Sequence, residues 1–241
     1  MWQLFFRICD FLCNFIPNRT TRERVRREKF YDWAKKYRAL RDACPNLKFR
    51  HVKMIKGGWN IGFIVDRKYV FKIRKFFSDE KNQIEKIMHE KRMTDTFASI
   101  VPLKIPNIDI IRAGDYTFYR YKFISGKNMN TFSLRTIRKY EKQWGKQIAT
   151  FIYKMHNARP RGMNDMKTND GDGWNHHDIC NNVIIDPHKM RVVGLIDWEY
   201  AGWGPLETEF VNCTIFSKKI RQTNLDKIIR TEYAKLKAKK N

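Results

Sequence analysis

A chain of 241 residues can bury a sizeable core, as one larger domain or as two small lobes, so its size admits an enzyme without requiring one. Its 49 Lys plus Arg against 25 Asp plus Glu give a net charge of +24, which points to an anionic partner (a phosphate-bearing substrate, an acidic membrane face or nucleic acid) or to a basic surface with no dedicated partner, and charge alone does not choose. No nucleic-acid recognition module stands out, and Cys9, Cys13, Cys44, Cys180 and Cys213 show no zinc spacing, so nucleic acid and a structural metal are disfavoured and five reduced thiols in a cytoplasmic protein are expected.

Residues 1–16 are rich in large apolar side chains, among them Phe5, Phe6, Phe11, Leu12 and Phe15, but Arg7 and Asp10 interrupt a run already too short to span a bilayer. No basic stretch precedes it and no small-residue cleavage site comes after it, so it does not read as a secretory signal. The basic run 19–29 comes next. Two alternatives stay open: an interfacial helix on anionic headgroups, which would place the protein peripherally on the inner face of a membrane, or apolar residues packed on the body of the protein.

Phe30, Trp33, Ala34, Tyr37 and Leu40 recur at helical spacing over 24–40, and Pro45 and Asn46 end that helix. Three strands come next at 47–56, 62–66 and 69–74, the last two joined as a hairpin across Asp66, Arg67 and Lys68. Ser78 is placed to cap a helix whose apolar side is Ile84, Ile87, Met88 and Phe97, with Pro102 and Pro106 in the loop beyond it. Strands at 108–112 and 116–124 turn at Gly114 and Asp115. A long helix then carries Ile137, Tyr140, Trp144, Ile148, Phe151, Ile152 and Met155 on one face and ends near His156. Residues 183–186 and 190–197 form a second hairpin around Pro187 and His188, helix fills the remainder, and the basic tail 235–240 is expected to fray.

The densest chemistry lies in Asn175-His176-His177-Asp178-Ile179-Cys180-Asn181-Asn182, with Asp197 one hairpin later. This order holds two carboxylates at the ends of paired strands. Phosphoryl transfer needs such a pair, one carboxylate to orient and deprotonate the attacking hydroxyl and another, with an amide oxygen, to hold the magnesium that neutralises the phosphates. Asp178 suits the first role, and Asp197 with Asn182 the second. A single Asp in a turn is ordinarily a cap, but three ordered positions argue otherwise. His176 suits a buried orienter of the loop better than a proton carrier.

The run Ile196-Asp197-Trp198-Glu199-Tyr200-Ala201-Gly202, with His176-x-Asp178 upstream, resembles the choline and ethanolamine kinases and the wider aminoglycoside phosphotransferase group. The resemblance extends more weakly from about Lys53 to Phe210. It implies an α+β, protein-kinase-like two-lobed fold, with a helical extension at 1–44, a small antiparallel-sheet lobe at 45–125 and a mainly helical lobe at 126–241. It also implies ATP and Mg2+ as cofactors. Gly57, Gly58 and Asn60 then stand in the turn that closes over ATP, and Lys72 on the strand whose lysine contacts the α and β phosphates. Glu90, with Glu85 as rival, pairs with Lys72, and Tyr121 and Phe123 lie in the hinge that offers backbone groups to adenine.

The chain departs from this pattern in having three residues, not four, between Asp178 and the metal-site Asn; Asn182 is preferred over Asn181 because it directly precedes the strand. Beyond Gly204 it has Pro205, Glu207 and Glu209 where the group commonly has Asp, and Glu209 could hold the catalytic loop from beneath. For a cationic acceptor such as choline, Trp198, Tyr200, Trp203, Glu207 and Glu209 are candidate wall residues. Residues 9–29 resemble the leaders of bacterial enzymes that assemble surface glycans, which implies instead a sugar hydroxyl of a glycan such as lipopolysaccharide. The competing expectation, from the shortened loop, is a catalytically inactive kinase-like binding protein at the membrane.

Overall fold

Alternating β-branched and aromatic residues build a sheet early in the chain, and apolar residues at helical spacing build most of the remainder. The structure, a computed structural model, describes residues 8, 11–25, 32–56, 60–74, 80–114, 116–168 and 170–239. Two units emerge. Unit one comprises Met1–Asp66, Val70–Lys75 and Ile110–Arg120, and unit two Arg67–Tyr69, Phe76–Asp109 and Tyr121–Asn241.

Unit one opens with α1 (Arg19–Val25), capped where Asn18 Oδ1 accepts from the Thr21 amide at 2.9 Å, and α2 (Asp32–Ala43). Strands β1 (Val52–Lys56), β2 (Asn60–Val65), β3 (Tyr69–Arg74), β4 (Asp109–Ala113) and β5 (Tyr116–Lys122) form a sheet in the order β1-β2-β3-β5-β4. β1 runs antiparallel to β2, with Val52 opposite Val65 and Lys56 opposite Ile61. The β2–β3 turn forms as the sequence implied, with Asp66 and Arg67 both at φ 53°, the left-handed conformation that tight hairpins demand. Phe63, Phe71, Ile73 and Phe118 fill the sheet's core, and Tyr37 of α2 packs its ring 5.9 Å from that of Phe63.

Unit two contains α3 (Glu80–Phe97), β6 (Lys127–Asn128), α4 (Leu134–His156), β7 (Gly173–Asn175), α5 (Ile179–Asn182), β8 (Val183–Asp186), β9 (Arg191–Leu195), β10 (Gly202–Gly204), α6 (Leu206–Phe216) and α7 (Leu225–Ala238). Ile137, Trp144, Ile148, Phe151, Ile152 and Met155 are all buried on one face of α4, as their spacing requires, and Ile229 and Tyr233 of α7 join the same core. β8 and β9 pair antiparallel with β6 alongside, and β7 pairs with β10.

Three expectations are corrected. Met88 is 50% exposed, because the buried face of α3 runs through Ile87, Glu90, Met93 and Phe97, and one residue further on points about 100° away. The tail does not fray within the described residues: α7 continues to Ala238, and the Lys239 amide still bonds the Lys235 carbonyl at 3.3 Å. Cys180 and Cys213 form a disulfide rather than two free thiols. They lie 33 residues apart in sequence, and only the packing of α5 against α6 brings them together. Cys13 and Cys44 are free and buried. The cap at Ser78 and the turn at Asp115 fall outside the described residues.

Candidate active site

The catalytic-loop candidates sit on a short frame that periodicity does not reveal. β7 and β10 have three residues each, below the length at which alternation registers, and they pair Trp174 with Trp203 and Asn175 with Gly202. Asn175, 1% exposed, secures the frame by donating its Nδ2 to the Gly204 carbonyl at 2.9 Å. The chain leaves β7 through His176 and His177, enters the single turn α5 at Asp178, and passes from Asn182 into β8.

His176 is fully buried. Its Nε2 lies 3.2 Å from the Ile196 carbonyl, its Nδ1 lies 3.4 Å from the Asp178 amide, and its ring stands edge-on to Trp198 at 5.1 Å. With Nε2 as donor and Nδ1 as acceptor, one neutral tautomer satisfies both contacts. Beneath it, Glu209 is 1% exposed, and its Oε2 accepts from the amides of His176 at 2.5 Å and His177 at 2.9 Å. Burial pushes the Glu209 carboxyl up to about 7, against the pull of the His177, His176 and Ile179 amides and with a further push from Asp178. Asn212 closes the turn from α6, donating to the His177 carbonyl at 2.7 Å.

Asp178 receives two amide donors: Asn181 Nδ2 reaches Oδ1 at 2.7 Å and Asn182 Nδ2 reaches Oδ2 at 3.0 Å. Burial raises its pKa, opposed by the Asn181 hydrogen bond; the negative charge of Asp197 raises it further, the Asn182 bond lowers it, and the charge of Glu199 raises it. The two asparagines differ in their remaining oxygens. The side-chain oxygen of Asn181 accepts from Asn130 Nδ2 at 2.9 Å, whereas that of Asn182 has no partner among the described residues. Asn128 and Asn130, which brace Asn181, were not anticipated from sequence, because their partners lie some fifty residues away.

Asp197 follows β9 at φ 66°, and His177 sits at φ 64°. Left-handed backbone at residues other than glycine is uncommon and collects where surrounding structure over-determines it, as the contacts of Glu209, Asn212 and Trp198 do here. Trp198 is fully buried and packs its ring 5.9 Å from Phe97 and 6.0 Å from Phe151. Its amide donates to Glu90 Oε1 at 3.1 Å, and His89 Nε2 meets the Ala201 carbonyl at 2.8 Å, so α3 secures the chain on the far side of Asp197. Glu90 is 2% exposed and Glu85 is exposed.

Of the remaining candidates, Lys72 lies on β3 in unit one with its ammonium 5.3 Å from the Tyr119 ring centroid. Asn60, at the start of β2, is 6% exposed, and its Oδ1 has no hydrogen-bond partner among the described residues. Gly57 and Gly58 lie outside the described residues. Tyr121 is buried, and the Phe123 amide donates to the Lys68 carbonyl at 2.8 Å, so that N–H is already engaged. Among the described residues no group of three or more His, Cys, Asp or Glu forms a metal cluster. The metal-site pair expected from sequence is of another kind, one carboxylate and one amide oxygen.

Residues 138–238 match the model of a phosphotransferase enzyme family. No curated protein sequence matches the chain. Among solved structures, the chain is similar to aminoglycoside phosphotransferase APH(2'')-Ib with ADP bound, at TM-score 0.64 and 14% identity over 83% of this chain and 82% of that one. It is similar also to the GDP complex of a mutant of aminoglycoside 2'-phosphotransferase-IIIa, at TM-score 0.67 and 11% identity over 83% and 81%. A third, aminoglycoside phosphotransferase APH(3'')-Id from Streptomyces rimosus, gives TM-score 0.61 and 12% identity over 84% and 92%. These likenesses bear out the expected protein-kinase-like α+β fold and the resemblance to the aminoglycoside phosphotransferase group.

Proposed function

We propose that this chain is a phosphotransferase of the kinase type, a reading that the family match at 138–238 and the fold support, and that it transfers the γ-phosphate of ATP to a sugar hydroxyl with Asp178 as general base. The observation that carries the proposal is the pairing of a raised-pKa carboxylate at Asp178 with Asp197 and the unengaged oxygen of Asn182, on either side of the β8–β9 hairpin. The shared fold includes relatives solved with ADP, GDP and ATP, which supports nucleotide use here.

Hard oxygen donors, one carboxylate and one amide, fit Mg2+, so Asp197 and Asn182 would hold it. Bound there, Mg2+ would supply the positive charge that neutralises the phosphates, with ADP as the leaving group. The chain's own residues supply the rest. Asp178 accepts the acceptor's hydroxyl proton as oxygen attacks phosphorus. Asn181 and Asn182 fix the plane of that carboxylate, and Glu209 and His176 hold the loop beneath it. Lys72, with Glu90 as its expected partner, would neutralise the nucleotide's α and β phosphates.

The side chains proposed for a cation cage favour a sugar over choline. Trp198 is sealed in the core, Glu209 is committed to the loop, Glu207 pairs with Arg230 at 2.8 Å, and Lys167 covers the Trp203 ring at 5.2 Å. Of the five, Tyr200 is 53% exposed, and a single exposed aromatic face does not enclose a quaternary ammonium. A second reading, peripheral binding to an anionic membrane, draws support from Ile8, Phe11, Leu12 and Phe15, which are 49–70% exposed beside the basic α1. No described helix is long and apolar enough to cross a membrane.

The test is transfer from radiolabelled ATP to a panel of choline, ethanolamine, aminoglycosides and lipopolysaccharide sugars. Labelling of a sugar supports the proposal. If no acceptor is labelled and magnesium-ATP leaves the thermal midpoint unchanged, the catalytically inactive alternative takes its place.

A further inference from the structure

A cavity of about 660 Å3 lies wholly within unit two, at the end of the β8–β9 hairpin away from Asn182 and Asp197. β8 runs from Val183 to Asp186, and at about 3.3 Å per residue Asp186, at the cavity, stands roughly 13 Å along the chain from Asn182. Arg67 reaches it from the β2–β3 turn, Lys104 from the loop before β4, Lys127 from β6, Arg191 from β9 and His188 from the hairpin turn. Five separate places in the sequence thus send basic side chains to one concavity.

The single acidic residue there is Asp186, and its Oδ1 is already taken by the amides of His188 at 2.9 Å and Lys189 at 3.1 Å. Those bonds, together with the charges of His188 and Lys189, hold its carboxyl below the usual range, so it caps the turn as an ionised group and offsets one of the surrounding cations. None of Arg67, Lys104, Lys127 and Arg191 forms an ion pair with a described residue. Elsewhere in the same unit basic side chains do find partners, as Arg92 does with Asp165 at 2.7 Å and Arg230 with Glu207 at 2.8 Å. A chain with about two basic residues per acidic one would give any groove some positive charge. Four unpaired cations against one engaged carboxylate exceed that background.

The backbone around the cavity is fixed closely. Lys104 is bonded into the sheet edge through its amide to the Val193 carbonyl at 3.1 Å and its carbonyl to the Leu195 amide at 3.0 Å. Gly126 stands at φ +154°, where a Cβ would come within 2.5 Å of Ile184 Cγ2 and 2.7 Å of the Ile185 carbonyl oxygen. Leu103, Val192 and Val193 supply apolar wall, and Gln147 is held in place by accepting from the Val192 amide at 3.0 Å.

We propose that this cavity binds a soluble phosphorylated small molecule, a phosphomonoester or diphosphate on a sugar-sized carbon framework, at a site separate from the catalytic loop. The cations answer the phosphate oxygens, and the apolar wall and volume suit a compact organic body within the usual range of ligand pockets. Binding there is independent of the transfer reaction and is measured by itself.

Glucose 1-phosphate and inorganic pyrophosphate are titrated calorimetrically into the full chain, with glucose as the neutral control. Both phosphates should bind and glucose should not. Lys104→Gln/Arg191→Gln should weaken the binding at least tenfold, while the charge-matched Lys142→Gln/Lys154→Gln, both exposed and outside the cavity, should leave it unchanged, and saturating magnesium-ATP should not displace either probe. Vesicles containing phosphatidylglycerol should bind wild type and cavity variant alike. The proposal is overturned if neither phosphate binds, if both double variants lose binding equally, or if magnesium-ATP displaces the probes. It is likewise overturned if the cavity variant keeps its phosphate affinity or loses only vesicle binding, since the latter marks a lipid headgroup as the ligand.

Discussion

Glu209 on α6 holds the backbone amide of His176 at 2.5 Å, from a carboxylate only 1% exposed. A buried acid thereby joins the helical core to the loop that carries Asp178. Its carboxyl is raised to about 7 from an ordinary 4.5, so the native state binds a proton more tightly than the unfolded chain does. Stability from this group is complete below the unfolded value and is lost as pH rises through about 7. Denaturant unfolding should therefore show stability falling between pH 5 and pH 8, by on the order of 3 kcal/mol, with the slope flattened in Glu209→Gln. An unchanged slope in the variant would assign the pH dependence to another group.

Asp178 is raised by burial and by the charges of Asp197 and Glu199, and a general base must be deprotonated to act. The acidic limb of kcat/KM should lie above the ordinary carboxylate range. Asp197→Asn should move that limb downward while cutting the rate. Asp178→Asn should reduce transfer by about 10²–10⁴-fold. Circular dichroism must show both variants folded for the result to count.

Glu90 and Glu85 occupy one helix but different environments. Glu90→Ala strips a buried backbone amide at Trp198 of its acceptor and should cost about 1–3 kcal/mol in urea unfolding. Glu85→Ala, at an exposed position, should stay within about 0.5 kcal/mol. Equal effects would mean that the Trp198 contact contributes nothing to the fold.

The Cys180–Cys213 disulfide encloses a loop of 33 residues, so reduction should destabilise the chain by about 3–4 kcal/mol. Under non-reducing denaturation these two cysteines should resist alkylation, while Cys13 and Cys44 are modified. Labelling of all four without reductant would remove the disulfide from the account.

Phe11 and Phe15, 61% and 70% exposed, contact each other edge-on at 5.4 Å and present apolar surface shortly before the basic α1 in sequence. Replacing both by Glu should lower partition onto phosphatidylglycerol vesicles in sedimentation, and high salt alone should remove only part of wild-type binding. Full retention by the variant would leave the membrane reading without its apolar component.

Local physics made much of this protein legible from its sequence. Helical spacing from Ile137 to Met155 located α4, β-branched runs located β3 and β8, and the order of His176, Asp178, Asn182 and Asp197 marked the reaction-centre candidates. Each of these signals acts between residues close in the chain, within a helical turn, a strand pair or one loop. Tertiary packing decided the rest. Which asparagine keeps a free oxygen depends on Asn130, some fifty residues upstream, and the Trp198 amide is satisfied by Glu90, 108 residues away. The Cys180–Cys213 bond and the four cations around one cavity likewise join segments that no periodicity connects. So Asp178 and Asp197 were named by sequence order, but their electrostatics, and the support beneath them from Glu209, exist only once distant side chains share a buried, low-dielectric interior.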